Sequence, residues 1–370
     1  MDWLIPAVLL ALILVPTALL LHRRARQMRT AAALQILSAD GIVDECYVPI
    51  GGIEQWISIR GEDSGNPALL ILHGGPGCSY SIFTPHLRAW ERHFTIIQWD
   101  QRGGGRTLAR TGKRDCGPIT FEQLTRDAIE VTEYVLTRLN KQQMFLMASS
   151  LGSTFGIRVV HRRPELFHAY IGTDQNVGMV HARNANRRDL LEHLRSLGLY
   201  KGVKIVEEIR ADPTLWTADD FDTVARWTMK SDPNGYEQTM RLLKEAVWYA
   251  PQWTVGDIRA FVAGMHNSLQ QLLPDIVRYD AWKEGVRFEI PFFVFQGEAD
   301  VLTTPEAAKA YFDDAVAPLK HFSLIADAGH FAAFLQPEQF LRQMLKYVRP
   351  LSEGSKAVGR VSARHTNIPR

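Results

Sequence analysis

The sequence predicts an α/β fold, a mostly parallel sheet covered by helices on both faces and interrupted by one helical insertion. Short, continuous apolar runs recur at Ala68–Leu72, 94–98, 144–147, 168–172, 292–295 and 322–325, as expected of strands buried on both faces. Helical segments lie between them. Thr120-Phe121-Glu122-Gln123 has the pattern of a capping box and opens a helix to about Asn140. Thr304 followed by Pro305 marks a second helix start, and 337–347 reads as an amphipathic final helix. Strands alternating with helices specify a mostly parallel sheet. The third observation is the break in that alternation. Residues 178–286 keep a helical period, offer no strand, and carry Trp216, Trp227, Trp248, Tyr249 and Trp253. They are expected to form a helical cap over the sheet.

From the N-terminus, the first element is not globular. Residues 3–21 form an uncharged run long enough to cross a bilayer core of about 30 Å as a helix. Pro6 and Pro16 lie inside it, which a membrane helix tolerates. Only Asp2 precedes the run, while Arg23, Arg24, Arg26 and Arg29 follow it at once. A secretory signal would carry its charge before the run and a small-residue cleavage site after it. Residues 1–29 are therefore expected to be a retained single-pass membrane anchor, and the positive-inside rule places the folded domain in the cytoplasm. Residues 30–44 read as a connector. From Tyr47 the pattern becomes a β-hairpin turning at Gly51-Gly52. The expected organisation is a core in two parts, 30–177 and 287–350, with the cap at 178–286 between them. A polar, basic, aperiodic tail at 351–370 is expected to be disordered.

Composition excludes some classes. The chain has 370 residues and a formal net charge of only +2, which gives no reason to expect a nucleic-acid partner. Its three cysteines, Cys46, Cys78 and Cys116, are too few and scattered for a disulfide framework or zinc site and read as free thiols.

The chemistry-bearing signals sit at the ends of strands. Met147-Ala148-Ser149-Ser150-Leu151-Gly152 closes one strand and opens a helix, the place of a nucleophile elbow. So tight a turn needs small residues two before and two after the nucleophile. Ser150 meets this with Ala148 and Gly152; Ser149 is flanked by Met147 and Leu151, and Ser153 by Leu151 and Phe155. The strict G-x-S-x-G pattern fails only at Ala148. His73-Gly74-Gly75-Pro76-Gly77 follows the 68–72 strand as a loop whose backbone can approach a carbonyl oxygen closely. The N–H groups of Gly75 and Leu151 would then form an oxyanion hole. Further on, Asp300 and His330 each follow a strand, so Ser150, Asp300 and His330 keep the order nucleophile, acid, histidine. Asp174, after the 168–172 strand, is the alternative acid, with Glu298 close by but earlier in its turn. Asp100 and Arg102, in Asp100-Gln101-Arg102-Gly103-Gly104-Gly105, are expected to brace their loop through an ion pair.

Together these residues resemble the proline iminopeptidase (prolyl aminopeptidase) family of α/β-hydrolase fold serine hydrolases. The resemblance rests on HGGPG at 73–77, DQRGGG at 100–105 and the spacing to Ser150, Asp300 and His330, and it covers roughly residues 47–349. It implies an α/β-hydrolase fold with a helical cap, and release of an N-terminal residue, typically proline, from small peptides without a metal or organic cofactor. The family elbow usually reads G-G-S-W-G-S; here Ala148, Ser149 and Leu151 replace two glycines and the tryptophan. The resemblance also implies cap glutamates that hold the substrate amine. Glu207, Glu208, Glu237 and Glu245 lie in the insertion and read as solvated helix-face charges, and there is no glutamate near Met265-His266-Asn267. The first functional expectation is thus an aminopeptidase. The second is an esterase or amidase for small apolar acyl substrates. A non-catalytic protein retaining the fold is the third. Epoxide hydrolase or dehalogenase chemistry would require a carboxylate where Ser150 stands.

Overall fold

The computed structural model describes residues 4–179, 181, 187–251 and 253–353. Eight strands form one sheet in the order β1-β2-β4-β3-β5-β6-β7-β8. They are β1 (Ile42–Ile50), β2 (Ile53–Gly61), β3 (Ala68–Leu72), β4 (Thr95–Asp100), β5 (Met144–Ser149), β6 (Phe167–Thr173), β7 (Phe292–Gly297) and β8 (Lys320–Ile325). Pairing from β4 through β8 is parallel; β1 with β2 and β2 with β4 are antiparallel. Every apolar run expected as a strand is one. The hairpin turns at Gly51-Gly52, but β1 starts at Ile42 rather than at Tyr47. Its first half is an edge strand with alternating half-exposed positions, so Asp44 and Glu45 mask it in the sequence.

The helices used below are α1 (Leu4–Ala33), α2 (Gly105–Asp115), α3 (Phe121–Leu139), α4 (Gly152–Arg162), α5 (Arg187–Ser196), α6 (Tyr200–Glu207), α7 (Ala218–Lys230), α8 (Pro233–Tyr249), α9 (Val255–Arg278), α10 (Pro305–Asp314) and α11 (Pro337–Gln343). Thr120 accepts from the N–H of Gln123 as expected, but the box is half made: the Gln123 side chain donates to Asp127 instead. Thr304 caps α10, accepting from Ala307 N–H. The final helix begins at Pro337 and ends in a π-helical turn, Met344–Val348.

Strand alternation divides the core into two layers. Leu70, Leu72, Leu146 and Ala148 pack on one face with Val131 and Val135 of α3 and Phe155 of α4. Leu69, Ile71, Phe145 and Met147 pack on the other with Trp90, Phe340 and Met344. Between β6 and β7 the described residues contain helices and no strand. This insertion has its own apolar cluster, which includes Leu190 and Leu194 of α5, Val206 of α6, and Val224 and Trp227 of α7.

α1 is longer than the expected anchor. It runs unbroken past the apolar stretch to Ala33, with its apolar half exposed and only 6% buried, so it is not a core helix. By length and composition it is the one candidate membrane span among the described residues. Of the tail expected over 351–370, residues 351–353 continue as a helical turn with Ser352 buried. The remainder, 354–370, lies outside the described residues.

Candidate active site

The strand order itself makes the crevice. The chain leaves β3 toward β4 on one side, and β5 lies on the other, so loops at the C-terminal ends of β3 and β5 diverge. Ligands of open α/β sheets bind at such a switch point. Leu72 of β3 pairs with Ala148 of β5, which sets the 73–77 loop against the turn at Ser150. A side chain on Gly74 would put its Cβ 2.7 Å from Ser150 Cβ and 3.2 Å from Leu151 N. Glycine at 74 is thus required by the approach of the two loops.

Ser150 is held at φ 53, left-handed backbone that a non-glycine residue adopts at a cost of roughly 1–3 kcal/mol. The turn is as tight as its sequence implied. A Cβ on Gly152 would lie 2.4 Å from the Leu72 carbonyl oxygen. Ala148, the departure from the strict pattern, is accommodated by Gly156, one helical turn beyond Gly152: a Cβ on Gly156 would come within 2.8 Å of the Ala148 methyl. The space usually left by glycine at the first position is supplied here by glycine at 156.

The three serines of the motif separate cleanly. Ser150 Oγ lies 3.0 Å from His330 Nε2. Ser149 points the other way, donating to Asp174 Oδ2 (2.9 Å) and lying 3.0 Å from the Tyr80 hydroxyl. Ser153 Oγ donates to the Ser150 carbonyl (2.6 Å) and accepts from Asn176 N–H.

His330 Nδ1 lies 2.9 Å from Asp300 Oδ2. The Asp300 carboxylate is fully occupied. Its Oδ2 also accepts from Gln296 Nε2 (3.1 Å) and Thr303 Oγ1 (2.7 Å), and its Oδ1 accepts the N–H groups of Leu302 (2.9 Å) and Thr303 (3.0 Å). Burial opposes ionisation of Asp300, but the charge of His330 and the hydrogen bonds of His330 and Thr303 outweigh it and hold the carboxyl below its ordinary range. Thr303 and Gln296 were not singled out in the sequence. Threonine three residues after an aspartate is a local turn signal that could have found the first.

Asp174, the alternative acid, stands on the same histidine. It is fully buried, and its ligand oxygen, that of Asp300 and a His330 ring nitrogen lie within 4.8 Å of one another. Such spacing also suits a cation, but the oxygens of Asp300 already accept five hydrogen bonds, and Asp174 accepts from Ser149 Oγ and Ala332 N–H. Burial, reinforced by the charge of Asp300, pushes the Asp174 carboxyl up to about 6. Burial alone would lower the His330 pKa; the charge and hydrogen bond of Asp300, with the charge of Asp174, overcome it and raise it to about 9.

The neighbouring motif braces this arrangement, with partners other than those expected. Asp100 and Arg102 do not pair with each other. Asp100 accepts from Ser79 Oγ and from Arg106 N–H (2.7 Å), tying the loop after β4 to the loop after β3. Arg102 forms a buried ion pair with Asp127 of α3 at 2.9 Å and donates to the carbonyls of Cys116 and Gly51. His73 links the two loops: its Nε2 accepts Gln101 N–H at 3.2 Å, so its Nδ1 carries the proton and donates to Gly74 O at 2.9 Å. Burial pushes its pKa down to about 4, which keeps it neutral.

Ser150, His330, Gly75 and Leu151 open onto a cavity of about 570 Å³ roofed by the insertion. Its wall is largely apolar, with Trp216, Phe221, Val247, Phe261, Met265 and Leu269 among the lining side chains. The only carboxylates lining it among the described residues are Asp219 and Asp222, both exposed; Asp222 is paired with Arg226, and Asp219 lies 3.9 Å from His266 Nδ1. The four glutamates weighed from the sequence do not line it.

The chain belongs to the α/β-hydrolase fold family, whose model matches residues 67–337. It is similar to a probable aminopeptidase, YbaC, of Bacillus subtilis (strain 168), 26% identical over 81% of this chain and 94% of that protein. It is also similar to proline iminopeptidase of Lactobacillus delbrueckii subsp. bulgaricus, 22% identical over 84% of this chain and 97% of that one. Among solved structures, a bacterial membrane phospholipase A superposes with a TM-score of 0.56 over 95% of this chain and 99% of its own, at 12% identity, a likeness of fold.

Proposed function

We propose that the protein is a serine hydrolase working through an acyl-enzyme, with Ser150 as nucleophile, His330 as general base and acid, and Asp300 as the group that orients the imidazole. The observation that carries this is the chain Ser150 Oγ–His330 Nε2 at 3.0 Å and His330 Nδ1–Asp300 Oδ2 at 2.9 Å, built on a left-handed serine at a strand-to-helix turn. His330 takes the Ser150 proton as Oγ attacks an ester or amide carbonyl. The N–H groups of Gly75 and Leu151, at the cavity wall beside Ser150, stabilise the oxyanion. The proton passes to the leaving alcohol or amine. Water, deprotonated by His330, then releases the acid and restores the serine. No step calls for a metal or organic cofactor.

The lining of the cavity favours carboxylic esters or amides with an apolar acyl part. A second reading, aminopeptidase release of an N-terminal residue such as proline, is favoured by the name of the Bacillus relative and by the similarity to the Lactobacillus enzyme. A substrate ammonium gains little from an exposed carboxylate, and among the described residues the lining offers only the exposed Asp219 and Asp222 for that role. α1 is read as a retained membrane anchor with the catalytic domain on its arginine-bearing, cytoplasmic side. The deciding experiment compares prolyl and alanyl arylamides with a butyrate aryl ester, using the wild type and Ser150→Ala. Preference for the ester supports the first reading, preference for the free-amine arylamides supports the second, and turnover by Ser150→Ala overturns both.

A further inference from the structure

The junction between α1 and the cap is built with buried polar contacts. Arg23 and Gln27 are both buried. Arg23 Nε donates to the carbonyl of Trp248 (2.8 Å) and its Nη2 to that of Trp253 (2.7 Å). Gln27 Nε2 donates to the carbonyls of Ala250 and Trp253. Three carbonyls at the corner between α8 and α9 thus depend on side chains of α1. Removing α1, as signal cleavage would, leaves buried acceptors without donors. The Arg23 and Arg26 guanidinium groups lie over the rings of Trp248 and Tyr249, at 5.1 and 4.5 Å.

This docking fixes where the corner sits. Arg23 is two residues past the end of the apolar run, roughly 3 Å of helix rise. The corner carrying the exposed Trp248 and the half-buried Tyr249 therefore meets the boundary of any bilayer that α1 spans, the level at which tryptophan and tyrosine concentrate. The outer surface that continues from it is amphipathic. Val255, Arg259, Val262 and His266 are exposed and follow one another at helical spacing along one face of α9. On α8, Arg241, Lys244 and Trp248 are exposed on one face together with Glu237 and Glu245. Val255 and Val262 alternating with Arg259 and His266 on α9, beside the exposed Trp248 and the mixed charges of α8, suit the headgroup level of a bilayer.

The same two helices wall the cavity. Val247 lines it one residue before Trp248, and Val262, 61% exposed, lines it at the rim two helical turns beyond Val255. Along α9 the rim is roughly 10 Å from the corner.

We propose that the α8–α9 corner rests on the bilayer to which α1 is anchored, and that the cavity draws its substrates from that bilayer: long-chain acyl esters whose chain passes Val262 into the apolar pocket above Ser150. This rests on the ester-hydrolase reading above. Each turnover uses one water, releasing a fatty acid and the alcohol.

The test uses the full chain reconstituted into vesicles of phosphatidylcholine and phosphatidylglycerol. Two substrates with the same leaving group are compared, p-nitrophenyl butyrate in solution and p-nitrophenyl palmitate incorporated in the vesicles. The variant Val255→Asp/Arg259→Glu changes only exposed positions outside the cavity lining. The expected result is unchanged butyrate turnover and an increase of about tenfold in KM for the palmitate ester, from lost apolar contact and reversed charge at the lipid surface. Palmitate turnover that the variant leaves untouched, or wild-type cleavage of butyrate alone, overturns the membrane-substrate proposal while leaving the hydrolase reading standing. Failure to cleave either ester overturns the ester reading and this proposal with it.

Discussion

Asp174→Asn isolates the second carboxylate beside His330. Asparagine keeps the volume and one oxygen for the Ala332 N–H, and the Ser149 hydroxyl can rotate to accept from the new amide, so the packing is retained. What is lost is a negative charge whose oxygen lies within 4.8 Å of the His330 ring nitrogen. At that separation and an effective dielectric of about 20, one unit charge stabilises imidazolium by about 3.5 kcal/mol, or ~2.5 pKa units. Reorientation of neighbouring dipoles recovers part of this, so the expected fall in the His330 pKa is roughly one to two units. The sign follows from the role of the histidine. In the proposed mechanism its neutral form is the base, and its pKa in the native site is raised to about 9. The wild-type kcat/KM should rise with pH through the alkaline range and level off above that pKa. In Asp174→Asn the rising limb should move to lower pH, leaving the variant the better enzyme relative to its own plateau near neutrality. The assay is kcat/KM for a soluble aryl ester against pH, for both proteins. A limb that stays in place, or moves to higher pH, would refute the electrostatic role given to Asp174.

Further outcomes follow from the same contacts. Ser150→Ala should lower kcat by on the order of 10³ or more, since nucleophile and base act as a unit; steady-state ester hydrolysis measures it. Gly74→Ala forces a methyl to within 2.7 Å of Ser150 Cβ and should cost at least about a hundredfold in kcat/KM, because misplacement near 1 Å is enough for such a loss; circular dichroism should show the fold retained. Arg102→Leu leaves Asp127 buried without its guanidinium and should destabilise the fold by about 3–5 kcal/mol, read from urea unfolding, whereas changes at the exposed Arg188–Glu192 pair should be nearly silent.

Local patterns in the sequence carried the core of this site. Buried parallel strands are continuous apolar runs, so β3, β5 and β7 were legible almost to the residue. The steric rule for a tight turn separated Ser150 from Ser149 and Ser153, and the structure puts only Ser150 beside His330. What could not be read was whatever depends on contacts distant in the chain. That Gly156 makes room for Ala148 is one case, although its place one turn beyond Gly152 was a usable sign. The partners of Asp100 and Arg102 are another: both residues brace loops, but Asp127 and Ser79 are brought to them by the fold. The sequence offered Asp174 and Asp300 as rivals for one role, whereas the sheet sets β6 next to β7 and brings both carboxylates to one histidine. Likewise, an arginine cluster after an apolar run reads as a topology signal. It took the packed structure to show Arg23 turned inward onto carbonyls more than 220 residues away.

The proposed mechanism requires Ser150 to be the nucleophile that His330 activates. The most direct measurement is peptide mass spectrometry after brief treatment of the native protein with a fluorophosphonate, alongside Ser150→Ala and His330→Ala. One phosphonate adduct is expected, on the peptide carrying Ser150, abolished in the first variant and strongly slowed in the second. An adduct on another residue, or labelling of Ser150 at the same rate without His330, would contradict it.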